Sequence, residues 1–248
     1  MHKHGKALPV IFFISTFIPS SLFLPLPLQP QELAGEEEST PLMNTLDSLD
    51  ISRIAVEAFL KIPRRFFLPE DLRTFAEDDR AIPLSRGTII PDYTSSAQLI
   101  EELSLIPPTR LLVYGRGCGF FGSLAATIVD AVHVVELEEE LAGDYPEIWE
   151  DLGLSNISLV EEPFSSGGSS GGDEEEPAGY EAILVHGSTD YIPAALFSLL
   201  RERGRLAAPL SDGSGNQVLT VFSRTDDGFS VYTGEEIYFP RGAPLFEE

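Results

Sequence analysis

Cysteine, lysine and histidine are all scarce in this sequence. A single cysteine, Cys118, in 248 residues excludes an internal disulfide and a zinc cluster built from cysteines. The four histidines are scattered and provide no metal-ligand spacing. Lysine occurs only as Lys3, Lys6 and Lys61, so the remaining basic residues are arginines. Sixteen basic residues stand against 40 acidic ones, a formal charge of −24. That field repels a polyanion and excludes nucleic acid as a partner. An acidic, lysine-poor surface also fits a salty habitat. What is abundant is apolar: 43% of the residues, enough for a full core. The length suits one substantial α/β domain with a small helical addition at its front.

The amino terminus supports three readings. Residues His2 to Lys6 are basic and Ala7 to Leu28 almost wholly apolar, the order of a signal peptide or a marginal membrane anchor, with membrane contact through residues 7–28 if retained. Pro9, Pro19, Pro25, Pro27 and Pro30 interrupt the run, and no A-x-A cleavage site follows. In the third reading translation starts at Met43, behind the solvated stretch Glu36 to Pro41. The divisions are then an extension over 1–43, a helical and loop region over 44–106, and a core over 107–244.

Within 44–75, Ile51, Ile54, Ala55, Ala58 and Phe59 recur at helical spacing, and Pro63 ends the run. Residues 64–69 read as a connector, Asp78 to Tyr93 as a loop and Ala97 to Leu105 as a helix. Strand–helix alternation follows. Leu111–Tyr114, Val132–Val135, Ile157–Val160, Ala182–Val185 and Leu206–Pro209 read as strands, with helices over Phe121–Val129 and Glu139–Leu152. Val218–Arg224 and Phe229–Phe239 form a closing antiparallel pair about the turn Asp226-Asp227-Gly228. This order predicts a Rossmann-like, mostly parallel sheet with helices on both faces. Ser165 to Pro177 is a Gly/Ser/acidic insert, expected to be a disordered surface loop within 164–179.

Gly115-Arg116-Gly117-Cys118-Gly119 lies between a buried strand and a helix. Glycines there permit positive φ and close approach of a ligand to the backbone. Glu136 ends the next strand, seventeen positions after Gly119, where a carboxylate can accept both ribose hydroxyls of a nucleoside cofactor. NAD enzymes prefer G-x-G-x-x-G. Here the third glycine comes one residue early, which suits S-adenosylmethionine, a cofactor with no phosphate to cradle. Cys118 reads as a small residue filling the turn. His186, Ser188 and Asp190 are too close in sequence to form a hydrolase triad.

The motifs around this loop are more specific. Ala58 to Glu70 resembles the amino-terminal signature of protein-L-isoaspartate O-methyltransferases, and Glu77 to Leu84 their acidic stretch followed by P-L-P-I. Gly187 to Leu196 is similar to A-A-P-x-x-I-P-x-A-L, and Gly204 to Leu210 to G-G-R-L-V-x-P-V. The resemblance spans about residues 50–242 in unbroken motif order. It implies a class I methyltransferase fold with a seven-stranded sheet, S-adenosylmethionine as cofactor, and a monomer that methylates isoaspartyl residues of damaged proteins or peptides, a repair reaction located in the cytoplasm.

Carried onto this chain, the resemblance assigns Gly115, Gly117, Gly119 and Glu136 to the cofactor, with Glu161 or Glu162 to compensate for the adenine aspartate and Glu162 taken as the cofactor-binding candidate. Thr88 and Asp92 are the catalytic candidates; Ile89, Ile90, Pro91, Tyr93 and Ser188 would shape the substrate pocket. Three departures stand out. The family serine of G-Q-T-I-S-x-P is missing, whether Ile90 or Pro91 occupies its place. Val113-Tyr114 stands in place of the acidic residue ahead of the glycine loop, and Pro163 in place of the aspartate that contacts adenine. These departures sustain a second reading, a non-catalytic methyltransferase-like binding or scaffold protein.

Overall fold

The structure is a computed structural model that describes residues 40–84, 88–162, 179–211, 216–237, 239 and 245–246. The apolar run over 7–28, Pro163 and, except for Gly179, the acidic insert lie outside the described residues. Residues Ser39–Glu248 cluster as one unit.

The front of this unit is helical. α1 (Pro41–Asp47) begins where Thr40 Oγ1 accepts the Met43 amide, with Pro41 in the first turn. α2 (Arg53–Lys61) buries Ala55, Ala58 and Phe59, spaced as one helical face. The expected connector contains a 3-10 turn, Arg64–Phe67, and a second, Glu70–Phe75, follows it. The expected loop contains a short antiparallel pair, β1 (Ile82–Pro83) and β2 (Ile89–Ile90). What ties this region down is Arg64, 1% exposed. Its guanidinium donates to the carbonyls of Phe75, Ala76, Asp78, Arg80 and Pro91 and lies 4.5 Å from the Tyr93 ring centre. A planar five-donor group can gather that many carbonyls; an ammonium cannot.

α3 (Tyr93–Glu102) starts four residues earlier than its apolar spacing indicates, because Asp92 caps it, accepting the Ser95 amide at 2.6 Å.

The core is a seven-stranded sheet in the order β5-β4-β3-β6-β7-β8-β9. β3 (Arg110–Gly115), β4 (Ala131–Glu136), β5 (Ile157–Leu159), β6 (Tyr180–His186) and β7 (Leu200–Ser211) pair in parallel, while β8 (Gln217–Thr225) and β9 (Gly228–Glu236) add two antiparallel strands. α4 (Cys118–Ala126), α5 (Glu139–Asp151) and α6 (Ala194–Ser198) make the crossovers. The architecture is that of a class I methyltransferase sheet. Strand alternation splits the core in two. Leu111 and Val113 face α2 to α5, whereas Leu112 and Tyr114 face α6 and the carboxyl-terminal Leu245 and Phe246. No helix among the described residues is long and apolar enough to cross a membrane.

Candidate functional site

β3, β4 and β6 end side by side, with Gly115 opposite both Glu136 and His186. In a parallel sheet this carboxyl edge is where ligands bind. The glycine loop leaves β3 there. Gly115 has φ +150°, and a Cβ on it would collide with the His186 carbonyl. Gly117 has φ +70°, and a Cβ on it would come within 2.8 Å of the Ile89 carbonyl oxygen and the Thr88 methyl. The loop is thus pressed between β6 and the β2 segment.

α4, which follows, is buried along its whole length. A helix amino terminus has unpaired N–H groups, and Gly117, its capping residue, has no side chain to accept them. Glu136 does so from the neighbouring strand. Its Oε2 accepts the Cys118 amide at 2.8 Å and the Tyr145 hydroxyl at 2.9 Å, and its Oε1 the Glu138 amide at 2.9 Å. Burial pushes the Glu136 carboxyl upward in pKa, and these donors, with the Gly117 amide, pull it back. The carboxylate expected to hold ribose is therefore also the cap of α4, and a ribose hydroxyl would join or displace one of the chain's own donors.

Beside it Arg116 forms an ion pair with Glu138, both side chains mostly buried. A cleft of about 570 Å³ opens next to this pair, between the 3-10 turns and α5, lined by Phe66, Leu68, Leu72, Leu84, Glu138 and Tyr145 among others. Glu136 itself is not on its wall, so the cleft adjoins the glycine-loop site without coinciding with it.

Thr88 is 3% exposed, its methyl against Gly117, and its hydroxyl has no hydrogen-bond partner. A buried hydroxyl without a partner costs about 1–3 kcal/mol, which a ligand can recover. Ile89 and Ile90 are buried beside it. The other candidate residues make bonds within the chain. Both carboxylate oxygens of Asp92 meet Ser95 at the start of α3. The Pro91 carbonyl serves Arg64. Tyr93, 1% exposed, donates to the Ala76 carbonyl and packs on Phe59 in the core. Ser188 accepts from Gln217 at 2.8 Å. Glu162 accepts the Tyr114 hydroxyl at 2.5 Å, which ties it to the strand-end region.

The His186 ring hydrogen-bonds neither Ser188 nor Asp190; its Nδ1 meets the Arg116 carbonyl at 2.7 Å and its Nε2 has no partner. Burial pushes the Cys118 thiol well up and leaves it protonated at neutral pH, consistent with a turn-filling residue. Sequence reasoning missed the Tyr145, Arg116–Glu138 and His186 contacts. They join residues nine to seventy positions apart, with no periodic signal.

The protein-L-isoaspartate(D-aspartate) O-methyltransferase family model matches residues 39–240. A protein-L-isoaspartate O-methyltransferase of Roseiflexus sp. (strain RS-1) is 33% identical over 175 residues, 71% of this chain and 77% of that protein. Another, from Shewanella sediminis, is 26% identical over 95% of this chain and 94% of that protein. Among solved structures, a protein-L-isoaspartate O-methyltransferase superposes with a TM-score of 0.69 at 22% identity, covering 82% of this chain and 66% of that one. A Plasmodium falciparum protein described as a putative member, in complex with S-adenosyl-L-homocysteine, gives 0.65 at 21% identity, covering 84% and 97%. At such identities the solved structures speak for the fold; the family model, spanning most of the described chain, decides the family. This chain belongs to the protein-L-isoaspartate(D-aspartate) O-methyltransferase family.

Proposed function

We propose that this chain is an S-adenosylmethionine-dependent protein carboxyl methyltransferase that methylates isoaspartyl residues in damaged proteins, and so serves protein repair. The observation that carries the reading is the buried, unpartnered Thr88 hydroxyl lying against the glycine loop at the carboxyl ends of the parallel strands.

The residues present fit the cofactor. The loop of Gly115, Gly117 and Gly119 and the capped end of α4 would receive the nucleoside, and Glu136 would hold its ribose. Tyr114 holds Glu162 near the place expected for the base. Bound S-adenosylmethionine supplies a sulfonium methyl group. The acceptor carboxylate is already ionised at neutral pH, so the chain needs no strong general base. Its task is alignment of the acceptor oxygen with the methyl–sulfur axis. Thr88 does this by donating its hydroxyl hydrogen bond to the carboxylate, and Ile89 and Ile90 exclude water around it. Asp92 acts at one remove, by starting α3 and so fixing the segment that carries Thr88. We take the protein to work as a monomer where S-adenosylmethionine is made, in the cytosol. No observation favours a non-catalytic scaffold.

Calorimetric titration with S-adenosylhomocysteine, followed by methyl transfer to an isoaspartyl peptide with its aspartyl counterpart as control, tests the reading. No binding at millimolar ligand would sink it, and binding without transfer would restore the scaffold. Replacing Thr88 by valine should lower kcat by about tenfold, with serine close to wild type, the loss of one orienting hydrogen bond.

A further inference from the structure

His186 ends β6 at the point where that strand meets the glycine loop. Its backbone carbonyl accepts the Arg116 amide at 3.0 Å, and its ring Nδ1 lies 2.7 Å from the Arg116 carbonyl oxygen. A carbonyl oxygen only accepts, so Nδ1 carries the proton and donates. The two bonds run in opposite senses between the same two residues and form a reciprocal clasp. Gly115 pairs with His186 in the register of β3 and β6, and only a residue without Cβ fits against its carbonyl. The loop's departure from β3 is therefore held by this one residue of β6.

The ring is wholly buried, 5.0 Å from the Phe239 ring centre and edge-on to it, and Nε2 has no partner. Burial pushes its pKa down to about 4. The imidazole is neutral at working pH, and it adds no positive charge to a loop that receives a sulfonium cation. The Arg116 side chain leaves the same loop for Glu138. Residue 116 is thus fixed twice, by its backbone to β6 and by its guanidinium to the residue before α5.

We propose that His186 is a positioning residue for methyl transfer: its Nδ1–H fixes the Arg116 carbonyl and, through it, the course of the glycine loop on which the cofactor rests. The proposal builds on the methyltransferase reading, but the clasp can be tested without cofactor. Asparagine places its amide nitrogen where Nδ1 stands, and glutamine where Nε2 stands.

In the full chain, a long-range proton–nitrogen spectrum should show His186 as the Nδ1–H tautomer; the Nε2–H tautomer would overturn the clasp. Amide exchange at Arg116 should stay within about threefold of wild type in His186→Asn and rise about tenfold or more in His186→Gln. The dissociation constant for S-adenosylhomocysteine should follow the same order, and KM for S-adenosylmethionine should rise more than kcat falls. Two variants that behave alike, or glutamine milder than asparagine, would refute the assignment. If a variant does not fold, the wild-type tautomer still decides. If wild type binds no S-adenosylhomocysteine, the methyltransferase reading fails, while tautomer and exchange still judge the clasp.

Discussion

The carboxylate of Glu136, at the end of β4, accepts the backbone amide of Cys118 at 2.8 Å and so caps a buried helix that its own preceding glycine cannot cap. Two demands would fall on one side chain: the end of α4, which it caps, and the ribose that we propose it holds. Glu136→Ala should therefore weaken S-adenosylhomocysteine binding by about tenfold or more and cost about 1–2 kcal/mol of stability. Cys118→Ala should change affinity far less. Titration calorimetry and urea melts would compare them; equal effects on affinity would refute the assignment.

Arg64 gathers the carbonyls of Phe75, Ala76, Asp78, Arg80 and Pro91. Arg64→Lys keeps the charge but loses the planar fork, and carbonyls buried around it lose their donors. A loss of about 3 kcal/mol or more is expected in urea unfolding. A lysine variant as stable as wild type would show that the clasp of carbonyls is not what holds this region.

Two glycines should respond oppositely to alanine. Gly143, inside α5, has open space where an added methyl group would sit, with nothing within 4 Å, so alanine should stabilise by about 0.5–1 kcal/mol. At Gly117 positive φ and the contact with Ile89 make alanine destabilising and harmful to cofactor binding. Thermal melts of the two variants decide it by the sign of the shift.

Acid should expose His186. Its pKa falls to about 4 in the fold against an ordinary value of 6.5. Between those values the unfolded chain binds a proton that the folded chain refuses, so stability drops as pH falls through that window, by about 3 kcal/mol. Glu136, whose pKa burial raises, acts in the opposite sense: its contribution is lost as pH rises from the ordinary carboxylate range through the raised value. Comparing wild type with His186→Asn cancels the Glu136 contribution. The variant should lose less stability than wild type between pH 7 and pH 4; parallel losses would be the contrary result.

With a formal charge of −24, the folded state repels itself. Raising KCl from about 0.1 to about 1 M shortens the screening length from about 10 to about 3 Å. Tm should rise by at least about 3 °C, roughly 1 kcal/mol. A flat or falling Tm would show that the acidic surface is not a source of strain.

By itself the sequence determined the alternation of strands and helices, the glycine loop after β3, the carboxylate closing β4 and the family motifs in order. These are legible because periodicity, turn chemistry and short motifs act between near neighbours along the chain. Even the start of α3 was written there, as Asp92 three residues ahead of Ser95, although the apolar pattern points to Ala97. Only the tertiary structure decided that Glu136 caps α4, that Tyr93 faces the core, that Arg64 gathers five carbonyls and that His186 clasps Arg116. Each of these joins groups whose separation along the chain carries no pattern. Their geometry exists once the strand ends come together, because burial forces every polar group there to find a partner or remain, like the Thr88 hydroxyl, open to a ligand.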